Sequence, residues 1–583
     1  MDLTAALHDH FGFAGFRPGQ REACEAALAN RDVLVVMPTG SGKSLCYQLP
    51  ALLRDDLTVV VSPLVALMQD QVEALAARGL GDRVALVNAQ QDAEANAAAL
   101  RAAAAGELRL LYVAPERFSS PGFLDRMGQA RVGLFVVDEA HCVSQWGHDF
   151  RPDYFRLADA ARALDADAIV ASTATATPRV ATDIARRLGL REPLKVATGF
   201  DRPNIGFAVA RPAAHEKRAV VAEALRAPDA LPAIVYAGTR AGAAELAAEL
   251  SEGLGEEALP YHAGIERGAR ADAQRRFLAD DVRVICATNA FGMGVDKPNV
   301  RTVVHASVPA SLEAYYQEAG RAGRDGAPAQ ALLLAENRDK ALHVHFIKRD
   351  EVEPDLPGWL ADRIAAGADG EGRYALDAYE LGRQLKGGDR LRALLGHLTR
   401  AGVISPSPSA PDRLAGRLLA PFDRRADALC RASIEEGAGA RWRQYREIWA
   451  YVEGTECRRT AILRHFGDHT SPAAAEGCCD VCDPALTPAM APPPSPEAVG
   501  DLDDAIVSVA RSARPSVGRT TCAEILHGAR TKKIERNSYD GLPAYGTSAH
   551  MRRADILARV DDLIETGRLQ TSGGAYPVLR LAA

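Results

Sequence analysis

The run Met37-Pro38-Thr39-Gly40-Ser41-Gly42-Lys43-Ser44 stands between an apolar, β-branched stretch, Val33 to Met37, and a helical pattern, and few folds accommodate that succession. A strand that passes through a glycine-containing loop directly into a helix presents backbone N–H groups to phosphate oxygens. Gly40 and Gly42 admit the close approach, Lys43 reaches the β and γ phosphates, and Ser44 offers a hydroxyl to Mg²⁺, with Thr39 and Ser41 completing the loop. Met37 stands where the strict pattern has glycine, so the match is to the relaxed form.

The loop demands α/β surroundings, and through residue 340 short β-branched runs alternate with longer Ala- and Leu-rich helical patterns. Strands are predicted at Val33 to Met37, Thr58 to Ser62, Leu108 to Val113, Leu134 to Val137 and Ala168 to Ser172. A second set is predicted at Ala233 to Tyr236, Val282 to Ala287 and Thr302 to Ala306. The reading is two α/β lobes, residues 1–198 and 199–340.

Asp138-Glu139-Ala140-His141 follows the apolar run Leu134 to Val137 directly. At a strand end beside a phosphate loop, Asp138 can hold Mg²⁺ and Glu139 can orient an attacking water. The second lobe carries Gln317-Glu318-Ala319-Gly320-Arg321-Ala322-Gly323-Arg324, in which Arg321 and Arg324 are candidate arginine fingers and Gln317 a further catalytic candidate. Fingers supplied from a second lobe make hydrolysis depend on lobe closure.

Composition excludes several classes. The longest apolar stretches are strand-length, short of the ~20 residues a bilayer span needs. The start, Met1-Asp2-Leu3-Thr4, has no cationic lead or apolar core of a secretory signal, so a cytoplasmic, chromosome-associated location is expected. A net charge of −7 argues against non-specific coating of nucleic acid, so any such contact is local.

Residues 341–425 change to short helices and a hairpin, read as a small winged-helix-like insertion. Residues 426–484 hold Cys457 and the run Cys478-Cys479-Asp480-Val481-Cys482. Thiolates in a short knuckle with a distant fourth cysteine suit a closed tetrahedral Zn²⁺ site, although His465 or His469 could replace one of them. Pro488 to Pro496 reads as a semi-rigid linker within 485–500, before a last small domain, 501–583.

Together these motifs resemble the RecQ family of DNA helicases in helicase superfamily two. Further matches stand in order: Phe11 to Gln20, Ser62-Pro63-Leu64, Gln69-Asp70-Gln71, Ala114-Pro115-Glu116-Arg117, Thr173-Ala174-Thr175-Ala176, Tyr236 to Arg240, Tyr261 to Gly264 and Ala287 to Lys297. The resemblance implies two tandem RecA-like P-loop lobes, a zinc-binding helical subdomain and a C-terminal winged helix. It implies that Phe13 stacks on adenine while Arg17 and Gln20 hydrogen-bond it, and that Asp296 lies at the nucleotide. Ser144 to Pro152 resembles the family's aromatic-rich loop, placing Trp146, Phe150 and Arg151 on DNA; two rings offer base-stacking faces worth ~1 to 3 kcal/mol per base.

Two departures accompany the resemblance. Glu476 occupies the place of the family's first knuckle cysteine, and the spacing from Arg324 to Cys457 is longer than the family norm, filled by the insertion. In the last domain, Arg552, Arg553 and Arg559 lie on a helix predicted over 549–567, and Gly573-Gly574 suits the wing hairpin bearing Tyr576, a wedge or a packing residue. The expected activity is an ATP-, Mg²⁺- and Zn²⁺-dependent 3′ to 5′ helicase in DNA recombination and repair, acting on single-stranded and duplex DNA in tailed, forked or junction form, with no membrane. The rivals are an RNA helicase of the same superfamily and a DNA-binding scaffold or non-unwinding translocase with weak ATPase.

Overall fold

The computed structural model describes residues 2–120, 122–144, 152–212, 217–291, 297–385, 388–407, 412–487, 496–572 and 577–582. Its contacts divide the chain into two units. The larger holds both sheets, the insertion and the cysteine segment; the smaller holds residues 487–583 with 210–228 and 334–336.

The first sheet has seven strands: β1 (Val33–Val36), β2 (Leu57–Val61), β3 (Val84–Val87), β4 (Leu110–Val113), β5 (Val132–Val137), β6 (Ala168–Thr173) and β7 (Leu194–Ala197). They lie in the order β3-β4-β2-β5-β6-β1-β7 and pair in parallel. The inner strands β2 and β5 are buried along their whole length, which explains their near-continuous apolar sequences. The phosphate loop, Asp138 and Thr173 all leave the carboxyl ends of β1, β5 and β6, the edge where open α/β sheets bind ligands.

The second sheet has six strands: β8 (Ile205–Ala210), β9 (Ala233–Tyr236), β10 (Ala258–Tyr261), β11 (Val284–Ala287), β12 (Thr302–His305) and β13 (Ala329–Leu334), in the order β10-β11-β9-β12-β13-β8. Five strands that the sequence reading left as loop or helix, β3, β7, β8, β10 and β13, complete the two sheets.

Of the helices, α1 (Leu45–Leu53) follows the phosphate loop, α2 (Pro178–Leu188) follows β6, and α3 (Leu312–Ala319) precedes the arginine loop. After α4 (Asn337–Arg349) the insertion runs α5 (Leu356–Ala366), β14 (Arg373–Asp377), α6 (Ala378–Gln384), α7 (Gly388–Arg400), β15 (Ile404–Ser407) and β16 (Arg413–Leu418). Its antiparallel sheet has the order β14-β16-β15, so three helices and three strands follow a winged-helix succession. The core of Leu360, Ile364, Leu381, Leu394, Leu398 and Ile404 continues into Ala426 and Cys430 of the 30-residue α8 (Arg424–Glu453). Helix α9 (Arg458–His465) starts immediately after Cys457.

In the smaller unit, α10 (Pro496–Ser512), α11 (Arg519–His527), α12 (Lys532–Arg536) and α13 (Arg553–Glu565) surround Ile506, Ile525, Leu526, Ile556, Val560 and Leu569, and β17 (Leu569–Thr571) pairs antiparallel with β18 (Leu579–Leu581). Among the described residues no helix is long and apolar enough to cross a membrane.

Candidate active site and zinc cluster

Gly40 and Gly42 take φ of +83° and +82°, the left-handed region that glycine enters without strain, and the Ser41 N–H donates to the Pro38 carbonyl at 3.2 Å within the turn ahead of α1. Lys43 Nζ lies 3.7 Å from Glu139 Oε1, both side chains nearly buried. Burial, then the charge of Glu139, raises the Asp138 carboxyl to about 6 against the opposing pull of Lys43. A buried carboxylate held short of positive charge, with the Ser44 hydroxyl one residue beyond Lys43, is a donor set that suits a hard divalent cation.

Glu139 adopts a left-handed backbone conformation, φ 47°. Its Oε2 is 3.3 Å from His141 Nδ1, which is 2.9 Å from Thr173 Oγ1. Burial works against charge on His141, while Cys142 and Glu139 work for it, and the balance lifts its pKa to about 10. The ends of β5 and β6 are thereby joined side chain to side chain. The buried Tyr154 donates to the Asp138 carbonyl at 3.1 Å, and Ser144 donates to Asp183 of α2 at 2.7 Å. His141, Thr173 and Tyr154 are site-building residues that sequence reasoning did not single out as such.

From the second lobe, Arg324 lays its aliphatic stem on the phosphate loop: a Cβ built on Gly40 would stand 3.3 Å from its Cγ. A cleft of about 280 Å³ opens there, lined by Arg17, Thr39, Gly40, Arg202, Asn204 and Arg324 among others. Arg321 is buried within its own lobe beside the Tyr236 hydroxyl, and Gln317 is half-buried in the last turn of α3. The arginine loop is fixed from the segment joining the two sheets. Arg202 donates to the carbonyls of Gly320 (3.1 Å), Ala322 (2.8 Å) and Gly323 (3.1 Å), and Asn204 to those of Gly323 (2.8 Å) and Ala327 (3.0 Å). Neither Arg202 nor Asn204 belonged to a motif read from the sequence; the polar run Asp201-Arg202-Pro203-Asn204 between two strands was the available signal.

Phe13 is 47% exposed, with its ring stacked on Phe11 at 6.3 Å and the Arg78 guanidinium 5.8 Å from its centre. Arg17 donates to the Gly40 carbonyl at 2.6 Å, and Gln20 to those of Ser41 (3.0 Å) and Gly42 (3.1 Å), so both residues meet the phosphate loop itself.

The sulfurs of Cys457, Cys478, Cys479 and Cys482 all lie within 4.8 Å of one another. Burial raises the Cys457 thiol, but hydrogen bonds from Thr460 and from Cys478 and Cys482 outweigh it and bring its pKa down to about 7, a thiol ready to yield the thiolate that zinc takes. The histidine alternatives fall away: His465 Nε2 is 3.1 Å from Glu313 Oε1, grouped with Glu447 and not with the cysteines, and His469 is absent from the group as well.

The cluster is anchored on both sides. Arg458 pairs with Asp480 at 2.9 and 3.0 Å, and the fully buried Arg459 reaches Asp201 at 2.6 and 2.7 Å. Phe207 of β8 donates to the Cys478 carbonyl (3.2 Å) and Asp480 donates back to Phe207 (3.0 Å), so the knuckle adds itself to the sheet edge.

Several expected residues lie outside the described ones: Trp146, Phe150 and Arg151, Asp296, and the wing residues Gly573, Gly574 and Tyr576. The expected basic helix differs from the reading. It spans Arg553–Glu565, and Arg559 is tied to Asp503 at 2.7 and 3.0 Å, joined there by Arg568 at 2.7 Å, because a nearly buried carboxylate on α10 needs cationic partners. Arg552 pairs with Asp555 and Arg553 with Glu524.

Comparison with known proteins follows the same division. Family profiles match for DEAD/DEAH box helicase (residues 17–184), helicase conserved C-terminal domain (216–326), RecQ zinc-binding (425–483) and RQC domain (500–583). The chain is 32% identical to the ATP-dependent DNA helicase RecQ of Pasteurella multocida, over 98% of this chain and 77% of that one. It is 31% identical to the ATP-dependent DNA helicase RecQ of Bacillus subtilis, over 98% and 81%. Among solved structures, the DUF1998 helicase MrfA bound to DNA aligns with a TM-score of 0.51 at 19% identity over 73% of this chain and 63% of that one, a likeness of fold.

Proposed function

Because the chain belongs to the RecQ family of ATP-dependent DNA helicases, we propose that it hydrolyses ATP between its two lobes to move 3′ to 5′ along one DNA strand and displace the other, in recombination and repair. The observation that carries the reading is the approach of Arg324 to Gly40 across the lobes, opposite the Lys43–Glu139 pair.

The loop N–H groups and Lys43 hold the phosphates, and Glu139, fixed by His141, orients water toward the terminal phosphorus. Ser44 and Asp138 would hold Mg²⁺, which would supply charge neutralisation to the phosphates. Arg324 meets the charge that develops on the transferred group, and since it comes from the other lobe its help depends on closure. Arg321 sits behind it and Gln317 beside the same loop. Phe13, with Arg17 and Gln20, closes the base end of the site. Trp146, Phe150 and Arg151 are the DNA contacts of this reading, and the four cysteines would hold zinc as a structural ion. Action on the chromosome in the cytoplasm belongs to the same reading and is supported by the likeness to DNA helicases.

Strand displacement tests this on matched duplexes with a 3′ or a 5′ single-stranded tail, in ATP and Mg²⁺. Unwinding of only the 3′-tailed duplex, lost in Lys43→Ala, is expected. Folded, zinc-loaded protein that unwinds neither duplex would replace the motor by a DNA-binding scaffold or a non-unwinding translocase.

A further inference from the structure

The matched helicase stretch ends at residue 326 and the zinc-binding stretch starts at 425, so the inserted winged helix belongs to neither. In a winged helix that reads duplex, the third helix faces the groove with its polar side chains free. Here the third helix, α7, faces inward. It packs on α8 and on the 3₁₀ turn Pro152–Arg156 of the first lobe. His397 Nδ1 is 2.7 Å from Ser433 Oγ, Arg400 donates to Ser433 (3.0 Å) and Glu436 (3.0 Å), and Arg390 donates to the Arg349 carbonyl (3.0 Å). Burial, with Arg400 and Arg441 nearby, presses the His397 pKa down to about 4, so this helix carries no charge there at neutral pH.

The remaining contacts of the insertion fall on the first lobe. Strand β15 packs on the turn Pro115–Ser119, which includes Pro115, Glu116 and Arg117 of the Ala114 to Arg117 motif. Burial lowers the pKa of Arg156 on the 3₁₀ turn and of Arg400 on α7, as expected of guanidinium groups enclosed in a packed seam. Asp183 is the acceptor of Ser144, and the turn that bears Arg156 also bears Tyr154, the donor to the Asp138 carbonyl. The insertion therefore meets the chain at 152–156 directly, through α7. Its core is continuous with α8, whose far end packs on α3 and α4 of the second lobe.

We propose that the inserted winged helix is a brace and not a duplex reader: α7, packed on the Pro152–Arg156 turn and tied to α8 by Arg400, positions that turn and through the Tyr154 hydroxyl sets the carboxylate end of β5 for DNA-driven ATP turnover. The inference rests on Asp138 and Glu139 being the hydrolytic carboxylates, so it is tested in wild-type protein already shown to turn over ATP.

The variants are Tyr154→Phe, Arg156→Met and Arg400→Met, with Arg156→Lys as the conservative control and Arg392→Ala on the exposed side of α7. DNA-stimulated kcat, KM for ATP and affinity for a blunt duplex are measured together, with hydrogen exchange of residues 152–156. The brace predicts a kcat lower by about five- to tenfold in Arg156→Met and Arg400→Met, with KM and duplex affinity within twofold, faster exchange in the turn, and partial rescue in Arg156→Lys. Tyr154→Phe, which removes the hydroxyl that donates to the Asp138 carbonyl, should melt as wild type and lower kcat two- to threefold. Unchanged kcat in all seam variants, or a tenfold loss of duplex affinity in Arg392→Ala, would overturn it, the second in favour of a reader. Loss of all turnover in the wild type sinks the underlying reading instead.

Discussion

Replacing Arg202 by alanine removes the group that holds the arginine loop from the inter-lobe segment. Its guanidinium meets three carbonyls, Gly320, Ala322 and Gly323, and burial lowers its pKa, so backbone oxygens are its chief compensation. Hydrogen bonds to a charged group contribute about 1.5 to 3 kcal/mol each; since water enters the gap and the bonds are not additive, roughly 2 to 4 kcal/mol is a reasonable loss for the set. Most of it appears as displacement of the loop, and a shift of about 1 Å in a positioned group lowers rate by about 10²-fold. The expected result is a kcat lower by about 30- to 100-fold with KM for ATP within threefold, because the phosphate loop binds the ground state and Arg324 acts on the developing charge. Arg202→Lys, a point charge without the fork, should fall between, and Asn204→Ala, which loses two bonds, should cost about tenfold. Steady-state ATPase with saturating DNA reads this, alongside a thermal melt. An Arg202→Ala protein that melts as wild type and keeps kcat within threefold would refute the argument; should it unfold, Asn204→Ala decides.

Glu139→Gln should keep ATP binding and lose about 10²- to 10³-fold in kcat, as removal of a positioned base does; nucleotide titration and ATPase separate the two effects, and retained turnover would exclude Glu139 from the chemistry. The Asp138 carboxyl is raised to about 6, so as pH falls through 6 it gains a proton that excludes the cation: half-saturating Mg²⁺ should rise about tenfold per pH unit below 6 and stay flat above 7, and a flat profile throughout would contradict Asp138 as a ligand. Zinc removal should abolish hydrogen-exchange protection at the Phe207 and Asp480 amides, which bond each other's strands through the knuckle; unchanged protection in metal-free protein would mean the knuckle folds without metal.

Much of the centre of the molecule was legible in its sequence. Strands β2 and β5, buried on both faces, spell nearly unbroken apolar runs and betray themselves. The strands that escaped have reasons: β10 contains Pro260, β13 reads Ala-Gln-Ala-Leu-Leu-Leu and suits a helix equally, and β7 is partly exposed at an edge. The phosphate loop and the Asp138-Glu139 pair could be read because their chemistry is local. Arg202 finds its partner carbonyl 120 residues away and Arg459 finds Asp201 at a separation of 258, and no spacing rule reaches so far. Arg559 misled for the same reason, its acid lying 56 residues upstream on another helix.

The knuckle's attachment to β8 has a consequence for how the protein fails. In the sheet order β8 is the terminal strand, with Ile205 and Phe207 buried and the Phe207 N–H and C=O both taken by the cysteine segment. An unprotected apolar edge strand is a template for another chain. Metal loss should therefore produce self-association before it produces a soluble, inactive monomer, and zinc supply during synthesis becomes a determinant of yield: the ion would act as a guard against intermolecular sheet growth.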